Sequence, residues 1–406
     1  MRRPSPSRRS KAVLGLAAAA LTLGGLLPAA FAPAQAAPPA APSQGGGDDY
    51  LYPRHELDPR LRARLDKAVR DVMRKAGIPG VQVGLWMPGK GSYVRAFGVA
   101  DKRTGAPMTD DMRIRIGSET KTFTATAVLE LVDDGRVRLD DPIAKYVKGV
   151  PNGHRIRLRD LLDMRSGLFP YSADDSFVHD LLSDPQRVFT PRELLAYGFK
   201  HPNVFAPGAK FQYSNSNYIL LGLVIEKVTG RSVRDVIEHR VLRPSHLDDT
   251  LFPKAAEFPR PHAHGYTNQT LTGKVADSTH WNPSWAWSAG AMISDLHDLK
   301  HWARDLATGT LLSPATQAER LKVLPTGTPG AGYGLGIVNV NGWTGHNGSL
   351  PGYESLTIYL PELKATLVAL LNTDILYQGQ EPSTVLGSAI TKIVTPKHVW
   401  GLSPQR

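Results

Sequence analysis

The sequence predicts an α+β/α protein, in which an antiparallel sheet flanked by terminal helices takes its strands from both chain ends and an all-helical region is inserted between them. β-Hairpin signals occur at 81–99 and 356–371, and helical periodicity dominates from about 118 to 309. Because a hairpin joins neighbouring strands of opposite direction, the sheet should be antiparallel rather than doubly wound. The expected boundaries are 58–116 and 330–395 for the sheet region and 117–329 for the helical region.

The amino-terminal part of the sheet region combines a helix and a hairpin. Asp58-Pro59 is typical of a helix start, apolar residues follow at helical spacing, and Gly77 is expected to end the helix. The β-type runs Val81–Trp86 and Tyr93–Val99 come next, separated by a Pro-Gly-Lys-Gly turn. A helix followed by two paired strands is therefore expected here.

The carboxyl-terminal part of the sheet region contains a second hairpin and a last helix. The runs Leu356–Leu360 and Thr366–Leu371 flank a short turn, which predicts two paired strands. Apolar spacing near Thr384–Ile393 predicts the helix. Each end of the chain thus supplies one helix and one hairpin.

The inserted region carries several helix signals. Phe123–Val132 is almost entirely apolar, which is typical of a helix buried on all sides. Thr190–Glu193 is a capping box and predicts a helix that begins there. Helical spacing continues at Tyr218–Val228 and Leu296–Leu306, so the region should be mainly helical.

Length and composition exclude several classes of protein and site. The chain has 406 residues, of which 41% are hydrophobic and 21% charged, so it can bury a large core. It contains no cysteine, which excludes disulfides, thiolate metal sites and a cysteine nucleophile. Basic and acidic residues alternate along helix-like segments, a pattern typical of solvated faces, and no nucleic-acid partner is expected.

Residues 1–36 have the features of a secretion signal. Five basic residues precede the apolar run Ala12–Leu27, and Ala34-Gln35-Ala36 fits a cleavage site. We expect cleavage after Ala36, which would lower the net charge from +11 to +6. No other stretch is long and apolar enough for a stable membrane anchor, so a secreted protein is expected. A flexible linker should follow at 37–57, and residues 396–406 should form a tail.

Common motifs for hydrolases and metal sites are missing. The sequence has neither a G-x-S-x-G elbow nor an H-E-x-x-H helix. His262 and His264 come nearest to a metal-binding pair, but no carboxylate lies at a ligand spacing, and we interpret them as part of a surface loop. No metal and no cofactor are expected.

The first candidate for chemistry is Ser118-Glu119-Thr120-Lys121. On the first turn of a helix, Ser118 and Lys121 would point the same way. A serine hydroxyl needs a base to become a nucleophile, and a buried lysine with a lowered pKa can act as that base. The alternative is structural, because serine is a common helix N-cap and about one S-x-x-K is expected by chance in a chain of this length.

The second candidate is Tyr213-Ser214-Asn215. A phenol oxygen held ionised by cations can move a proton, and an amide side chain can bind a substrate amide. A second Tyr-x-Asn sequence begins at Tyr266. The alternative for either one is a loop tyrosine beside a turn-forming asparagine.

The third candidate is His346-Asn347-Gly348-Ser349, where the β pattern returns. A glycine in a strand often marks close approach of a ligand, a histidine can donate to a carboxylate, and the Ser349 N–H can bind an oxyanion. The alternative is a simple turn, since Asn-Gly is a strong turn signal.

In this order and spacing, the three motifs resemble the serine penicillin-recognising enzymes, in the branch that contains D-alanyl-D-alanine carboxypeptidases and class C β-lactamases. That branch carries S-x-x-K, Y-x-N and a third motif ending in glycine. The H-x-G form found here is similar to that of secreted actinobacterial-type DD-carboxypeptidases. The resemblance covers about residues 60–395. It includes Leu161–Leu168, Pro207–Gly208, Tyr213–Tyr218, Ser284–Ala291 and Gly332–Gly336.

The resemblance implies a site in the cleft between the sheet and the helical region. Ser118 would be acylated, while Lys121 and Tyr213 would manage its proton and Tyr213 would serve the leaving amine. The N–H groups of Ser118 and Ser349 would form the oxyanion hole. The substrate-binding residues implied are Asn215, His346, Gly348, Ser349, Trp285 and Phe169.

The activity implied is that of a secreted serine DD-carboxypeptidase or transpeptidase. Its partners would be peptidoglycan peptides ending in D-Ala-D-Ala, β-lactams would acylate it, and a monomer is expected. However, no Lys or Arg occurs between Gly332 and Gly345 to bind the terminal carboxylate of such a peptide. A β-lactamase, an esterase or D-amino-acid amidase, and a non-catalytic wall-binding protein therefore stay open as alternatives.

Overall fold

The computed structural model describes residues 51–401. The predicted signal (1–36), most of the predicted linker and residues 402–406 lie outside the described residues. The last linker residues pack on the sheet region: Leu57 is buried, and its N–H donates to the Ser92 carbonyl at 2.8 Å. In the predicted tail, Trp400 is buried and the His398 carbonyl accepts a 2.7 Å hydrogen bond from Trp343 Nε1. Both segments thus contribute ordered residues to the fold.

The described chain contains thirteen strands in three antiparallel sheets. They are β1 (Gly80–Met87), β2 (Gly91–Asp101), β3 (Ala106–Pro107), β4 (Ile114–Arg115), β5 (Tyr266–Thr267), β6 (Ala276–Asp277), β7 (Ile293–Ser294), β8 (Leu324–Pro325), β9 (Ala331–Tyr333), β10 (Val338–Val340), β11 (Trp343–Leu350), β12 (Tyr353–Leu360) and β13 (Ala365–Leu371). Nine strands form the large sheet, in the order β3-β2-β1-β13-β12-β11-β10-β9-β8, and β4 pairs with β7 and β5 with β6.

The described part of the chain also contains eleven α-helices. They are α1 (Pro59–Ala76), α2 (Thr120–Asp133), α3 (Leu158–Leu162), α4 (Asp175–Ser183), α5 (Pro191–Phe199), α6 (Asn215–Thr229), α7 (Val233–Ile237), α8 (Trp287–Gly290), α9 (Leu296–Thr308), α10 (Pro314–Arg320) and α11 (Pro382–Val394). Short 3-10 turns lie between several of them, including Gly117–Glu119 and Pro283–Trp285.

The two chain ends meet in the middle of the large sheet. β1 pairs with β13, and Val83 lies opposite Ala369. Alternate residues of β13 face opposite sides of the sheet, because side chains along a strand alternate in direction. Leu367, Ala369 and Leu371 pack in a core with α1 and α11, whereas Val368 and Leu370 pack in a larger core with the helical region. The predicted fold class is therefore confirmed, with strands from both ends of the chain.

Local sequence signals account for the terminal helices and hairpins. The Asp58 side chain accepts hydrogen bonds from the N–H groups of Arg60 and Leu61, which caps α1, and Gly77 ends that helix in the left-handed conformation at φ 68°. Thr190 caps α5 with a capping box, as predicted. Ser118 differs from expectation, because it lies in the 3-10 turn before α2 rather than on the first turn of the helix itself.

Within residues 51–401, no helix combines the length and the apolar character that crossing a bilayer requires.

Candidate active site

The 3-10 turn that carries Ser118 lies directly against β11. A Cβ on Gly117 would lie 2.5 Å from the Ser349 nitrogen, and a Cβ on Gly348 would lie 1.9 Å from the Ile116 carbonyl oxygen. Side chains at either position would push the two segments apart. These two glycines therefore allow the backbone around Ser118 to approach the strand that carries the third motif.

Lys121 contacts the Ser118 hydroxyl. Its Nζ lies 2.9 Å from Ser118 Oγ and donates to the Ala289 carbonyl at 2.6 Å. The side chain is fully buried, and this burial lowers the pKa of Lys121 well below its usual value. Because a lowered pKa favours the neutral amine, Lys121 can accept the Ser118 proton, and the pair has the arrangement of a nucleophile and its base.

Tyr213 also lies close to Lys121 and Ser118. Lys121 Nζ is 4.9 Å from the centroid of the Tyr213 ring. The Tyr213 hydroxyl is buried and has no direct hydrogen-bond partner within residues 51–401. Burial raises the pKa of Tyr213 well above its usual value, Tyr333 adds to the increase, and the nearby Ser118 hydroxyl opposes it.

The pKa shifts of Lys121 and Tyr213 thus have opposite directions. Lys121 is set up as a neutral base and Tyr213 as a neutral acid. A neutral Tyr213 differs from the ionised phenol considered from the sequence. The proton-transfer steps are therefore divided between Lys121, which accepts a proton, and Tyr213, which donates one.

A small cavity opens beside Ser118. Four residues singled out from the sequence line it: Ser118, Asn215, Trp285 and Ser349. Its other lining residues are Ser172, Gln269, Ala286, Ala289, Gly290, Leu350 and Pro351. None of these residues carries a charge, so the wall of this cavity offers hydrogen bonds and apolar surface but no ion pair.

Asn215 and Phe169 have different positions relative to this cavity. Asn215 lies at the start of α6, and its Nδ2 donates to Ser172 Oγ at 3.1 Å. Phe169 is not among the residues that line the cavity. Its ring stacks on His201, with centroids 3.9 Å apart, and its carbonyl accepts a 2.8 Å hydrogen bond from Ser216. A role for Phe169 in substrate binding stays a prediction.

His346 is buried on β11 and faces Tyr333. Its Nδ1 contacts the Asn347 carbonyl, which can only accept, so Nδ1 carries the proton. Its Nε2 then accepts from the Tyr333 hydroxyl at 3.0 Å. Burial lowers the pKa of His346 to about 3, and the imidazole is neutral at physiological pH. Both ring nitrogens are occupied, and His346 is not part of the cavity lining; its role in binding stays a prediction.

One edge of β11 is open next to Ser118. β10 pairs only with Trp343–Gly345 of β11, while β12 covers the other edge as far as Leu350. Among the described strands, none pairs with His346–Leu350 on the Ser118 side. An extended substrate segment could therefore add to β11 at this edge, with its carbonyl between the backbone N–H groups of Ser118 and Ser349.

Several residues of the site give little or no signal in the sequence. The Ala289 carbonyl holds Lys121, but only the surrounding Trp-Ser-Ala-Gly stretch gave a signal, through its resemblance. Tyr333 was contained in the glycine-rich segment and was not singled out. Ser172 and Gln269 gave no sequence signal at all.

A metal centre is not assembled from the described residues. Within residues 51–401, no group of three or more His, Asp and Glu side chains is placed to hold a metal ion. The rings of His262 and His264 are 6.2 Å apart, and His264 Nδ1 contacts Asp277 at 2.8 Å instead.

Known structures similar to this chain include amidohydrolases and a penicillin-binding protein homologue. A D-stereospecific amidohydrolase from Streptomyces sp. is 32% identical, with a TM-score of 0.73, and the match covers 82% of this chain and 99% of that one. A D-amino acid amidase from Ochrobactrum anthropi SV3 is 29% identical, with a TM-score of 0.72 and coverage of 83% and 97%. An octameric penicillin-binding protein homologue from Pyrococcus abyssi is 27% identical, with a TM-score of 0.71 and coverage of 83% and 79%.

Two curated relatives are longer than the matched region. Protein flp of Staphylococcus aureus (strain N315) is 29% identical over 322 residues, which are 76% of this chain and 62% of that protein. D-aminopeptidase of Brucella anthropi is 29% identical over 319 residues, which are 76% of this chain and 59% of that protein. The match therefore spans about three fifths of each relative.

The family model for Beta-lactamase matches residues 65–382, most of the described chain. This range contains Ser118, Lys121, Tyr213 and the third motif. The predicted resemblance to this group of enzymes is therefore confirmed at the level of the family, although not for one branch of it. The chain belongs to the beta-lactamase family of serine hydrolases.

Proposed function

We propose that the protein is a D-stereospecific amidohydrolase that cleaves short amides or peptides of D-amino acids through an acyl-enzyme on Ser118. The observation that carries the proposal is the contact between Lys121 Nζ and Ser118 Oγ, 2.9 Å, beside a cavity lined without charged residues. The contact supplies an activated nucleophile, and the neutral lining fits the uncharged amide group of a substrate better than a free terminal carboxylate.

The acylation step follows from the contacts of Ser118. Neutral Lys121 takes the hydroxyl proton while Ser118 Oγ forms a bond to the substrate carbonyl carbon. The negative charge on the former carbonyl oxygen is stabilised by the N–H groups of Ser118 and Ser349. The C–N bond then breaks, and Tyr213 gives its proton to the leaving amine. Tyr213 regains a proton from Lys121, which holds the proton taken from Ser118 and whose Nζ lies 4.9 Å from the centroid of the Tyr213 ring.

Deacylation returns the enzyme to its starting state. Water attacks the ester carbonyl and loses a proton to Lys121, and the proton then passes to Ser118 Oγ as the ester bond breaks. The products are a carboxylic acid and the free enzyme. Proton transfer in both half-reactions needs no group beyond Lys121 and Tyr213.

The absence of a cation from the cavity wall argues against strict carboxypeptidase activity. A D-Ala-D-Ala peptide ends in a carboxylate, for which a buried cation is the usual partner. His346 cannot serve as one, because it is neutral and its ring nitrogens face Tyr333 and Asn347. The likeness to a D-stereospecific amidohydrolase and a D-amino acid amidase supports the same preference.

A DD-carboxypeptidase acting on peptidoglycan peptides is the second candidate. It is favoured by the open edge of β11, which can pair with an extended peptide, and by the likeness to a penicillin-binding protein homologue. β-Lactams would then acylate Ser118. We also propose export by residues 1–36, with action outside the cytoplasm, which amino-terminal sequencing of protein from a culture supernatant would test. A monomer stays a prediction.

Hydrolysis of matched substrates tests the proposal. The purified protein is incubated with D-phenylalanine amide, L-phenylalanine amide and an N-acylated D-Ala-D-Ala peptide, and released ammonia and D-alanine are measured. We expect ammonia from the D-amide only, and none with Ser118→Ala. D-Alanine release without amide hydrolysis would instead establish the carboxypeptidase. Peptidoglycan binding with no hydrolysis and no covalent adduct would favour a wall-binding protein.

A further inference from the structure

We propose that Gln269, oriented by the buried side chain of Asp374, is a specificity residue that accepts a hydrogen bond from the substrate's amino group through Oε1. The inference deepens the proposed function and rests on it, because it concerns the substrate of the Ser118 site. Gln269 lines the same cavity as Ser118. It follows β5, immediately after the second Tyr-x-Asn sequence, which the catalytic mechanism does not use.

Asp374 fixes the orientation of the Gln269 side chain. It is 3% exposed, and its Oδ1 accepts a 2.9 Å hydrogen bond from the Gly352 N–H. Its Oδ2 accepts from Thr267 Oγ1 at 3.1 Å and from Gln269 Nε2. All three partners donate, so they stabilise the carboxylate form of Asp374 against its burial. A carboxylate can only accept, and this places the Nε2 of Gln269, rather than Oε1, against Asp374.

The backbone of Gln269 is held by the same cluster. Its N–H donates to Thr267 Oγ1 at 3.0 Å, while that hydroxyl donates to Asp374. Asp374 also holds Gly352, next to Pro351 in the cavity wall. The buried carboxylate of Asp374 therefore connects residues 267–269 with Gly352, which follows Ser349 in the chain, through hydrogen bonds.

The side-chain oxygen of Gln269, Oε1, has no hydrogen-bond partner among the described residues. This oxygen is also buried. Buried acceptors are almost always satisfied in folded proteins, and an orphan acceptor in the wall of an active-site cavity indicates that a ligand supplies the donor. Oε1 can only accept, so the ligand group must carry an N–H or O–H.

The chemistry of the cluster favours a positively charged N–H donor. An amide that donates to a carboxylate has increased electron density on its oxygen, which strengthens the bond that this oxygen accepts. The nearby negative charge of Asp374 favours an ammonium and disfavours a substrate carboxylate. The free amino group of a D-amino-acid amide or ester carries N–H donors and a positive charge, so it meets both requirements.

Ester substrates test the inference separately from amide hydrolysis. The kcat/KM of the purified protein is measured for the p-nitrophenyl esters of D-phenylalanine and of 3-phenylpropionic acid, which differ only in the amino group. We expect wild type to prefer the amino ester, and Gln269→Leu, which keeps the volume but removes the acceptor, to reduce that preference about tenfold or more. The neighbouring exposed Asn268→Ala is the control and should keep the wild-type preference.

Each outcome of this experiment decides the inference. It is overturned if wild type shows no preference for the amino ester, or if Gln269→Leu keeps the preference of wild type. Asp374→Asn should also weaken the preference, since an asparagine can donate to Gln269 Oε1 and turn the amide around. If wild type prefers the amino ester and Gln269→Leu loses that preference while no amide is cleaved, the role of Gln269 is supported and only the proposed amidase activity is wrong.

Discussion

The helical side and the sheet side of the active site each bury a potential base, but only one of the two bases can act. On the helical side, buried Lys121 lies 2.9 Å from the nucleophile Ser118. On the sheet side, buried His346 has both ring nitrogens occupied, by Tyr333 and Asn347. Burial lowers the pKa of both groups. Burial therefore favours the neutral base at both positions, whereas the atom in contact with that base decides whether it takes part in the reaction.

The two sides therefore contribute different things. The helical side supplies reacting side chains, namely Ser118, Lys121 and Tyr213. The sheet side supplies a backbone edge, whose position depends on the close approach of Gly348 to Ile116. Loss of a reacting group should reduce the rate by orders of magnitude, and changes on the sheet side should act through geometry and stability.

The largest effect is expected for Ser118→Ala. Removal of the nucleophile should lower kcat/KM for a p-nitrophenyl ester by about 10⁴-fold or more. The melting temperature should stay close to that of wild type, because the loss is a single oxygen of a half-buried side chain. Residual activity within tenfold of wild type would assign the nucleophile to another residue.

Lys121→Met should have the next largest effect. Loss of the base is expected to lower kcat/KM by about 10²–10⁴-fold, and Lys145→Met, at an exposed lysine paired with Asp141, should leave it unchanged. Because the base acts when neutral, wild-type activity should be lost as the pH falls through the lowered pKa of Lys121. A pH–rate profile measures this loss of activity at low pH. If Lys121→Met shows the same loss, the assignment of Lys121 as the base is contradicted.

Gly348→Ala tests the geometry of the sheet side. The new Cβ would lie 1.9 Å from the Ile116 oxygen, so we expect a loss of stability of about 1–3 kcal/mol and a kcat/KM roughly 10²-fold lower. Thermal unfolding and ester hydrolysis measure the two effects. Ser349→Ala is the comparison: it keeps the backbone N–H and should cost less than about tenfold. A larger loss in Ser349→Ala would indicate that the serine hydroxyl, not the backbone, takes part.

Tyr333→Phe should mainly affect stability. It removes the hydroxyl that donates to His346 Nε2 and leaves a buried acceptor without a partner, at a cost of about 1–3 kcal/mol in urea unfolding. Tyr359→Phe, at another buried tyrosine of the same sheet, is the control. If Tyr333→Phe leaves stability unchanged and abolishes activity instead, His346 and Tyr333 belong to the reacting groups.

The sequence allowed prediction of the fold wherever local patterns decide structure. The runs Val81–Trp86 and Thr366–Leu371 became the paired strands β1 and β13, because their apolar content and flanking turns are local properties. Phe123–Val132 became the buried α2 for the same reason. The packing of residues 51–57 and of Trp400 could not be predicted, since their composition resembles that of linkers and only tertiary contacts order them.

The site was predictable where its residues are close in the sequence. Ser118 and Lys121 are three residues apart, and the 3-10 turn that runs into α2 still places both side chains on one side. The Ala289 carbonyl reaches Lys121 from 168 positions away, and Asp374 reaches Gln269 from 105 positions away, and neither gives a periodic or motif signal. The hydrogen-bond partners of His346 were equally inaccessible, because its contact with Tyr333 depends on how two strands pack.

Covalent labelling shows whether Ser118 is the nucleophile. The purified protein is mixed with a fluorophosphonate or, in parallel, with a penicillin, and its intact mass is followed over time before peptide mapping. We expect an adduct on Ser118 with at least one of the two reagents, absent in Ser118→Ala and formed more slowly in Lys121→Met. No adduct with either reagent, or an adduct on a different residue, would contradict the assignment of Ser118 as the nucleophile.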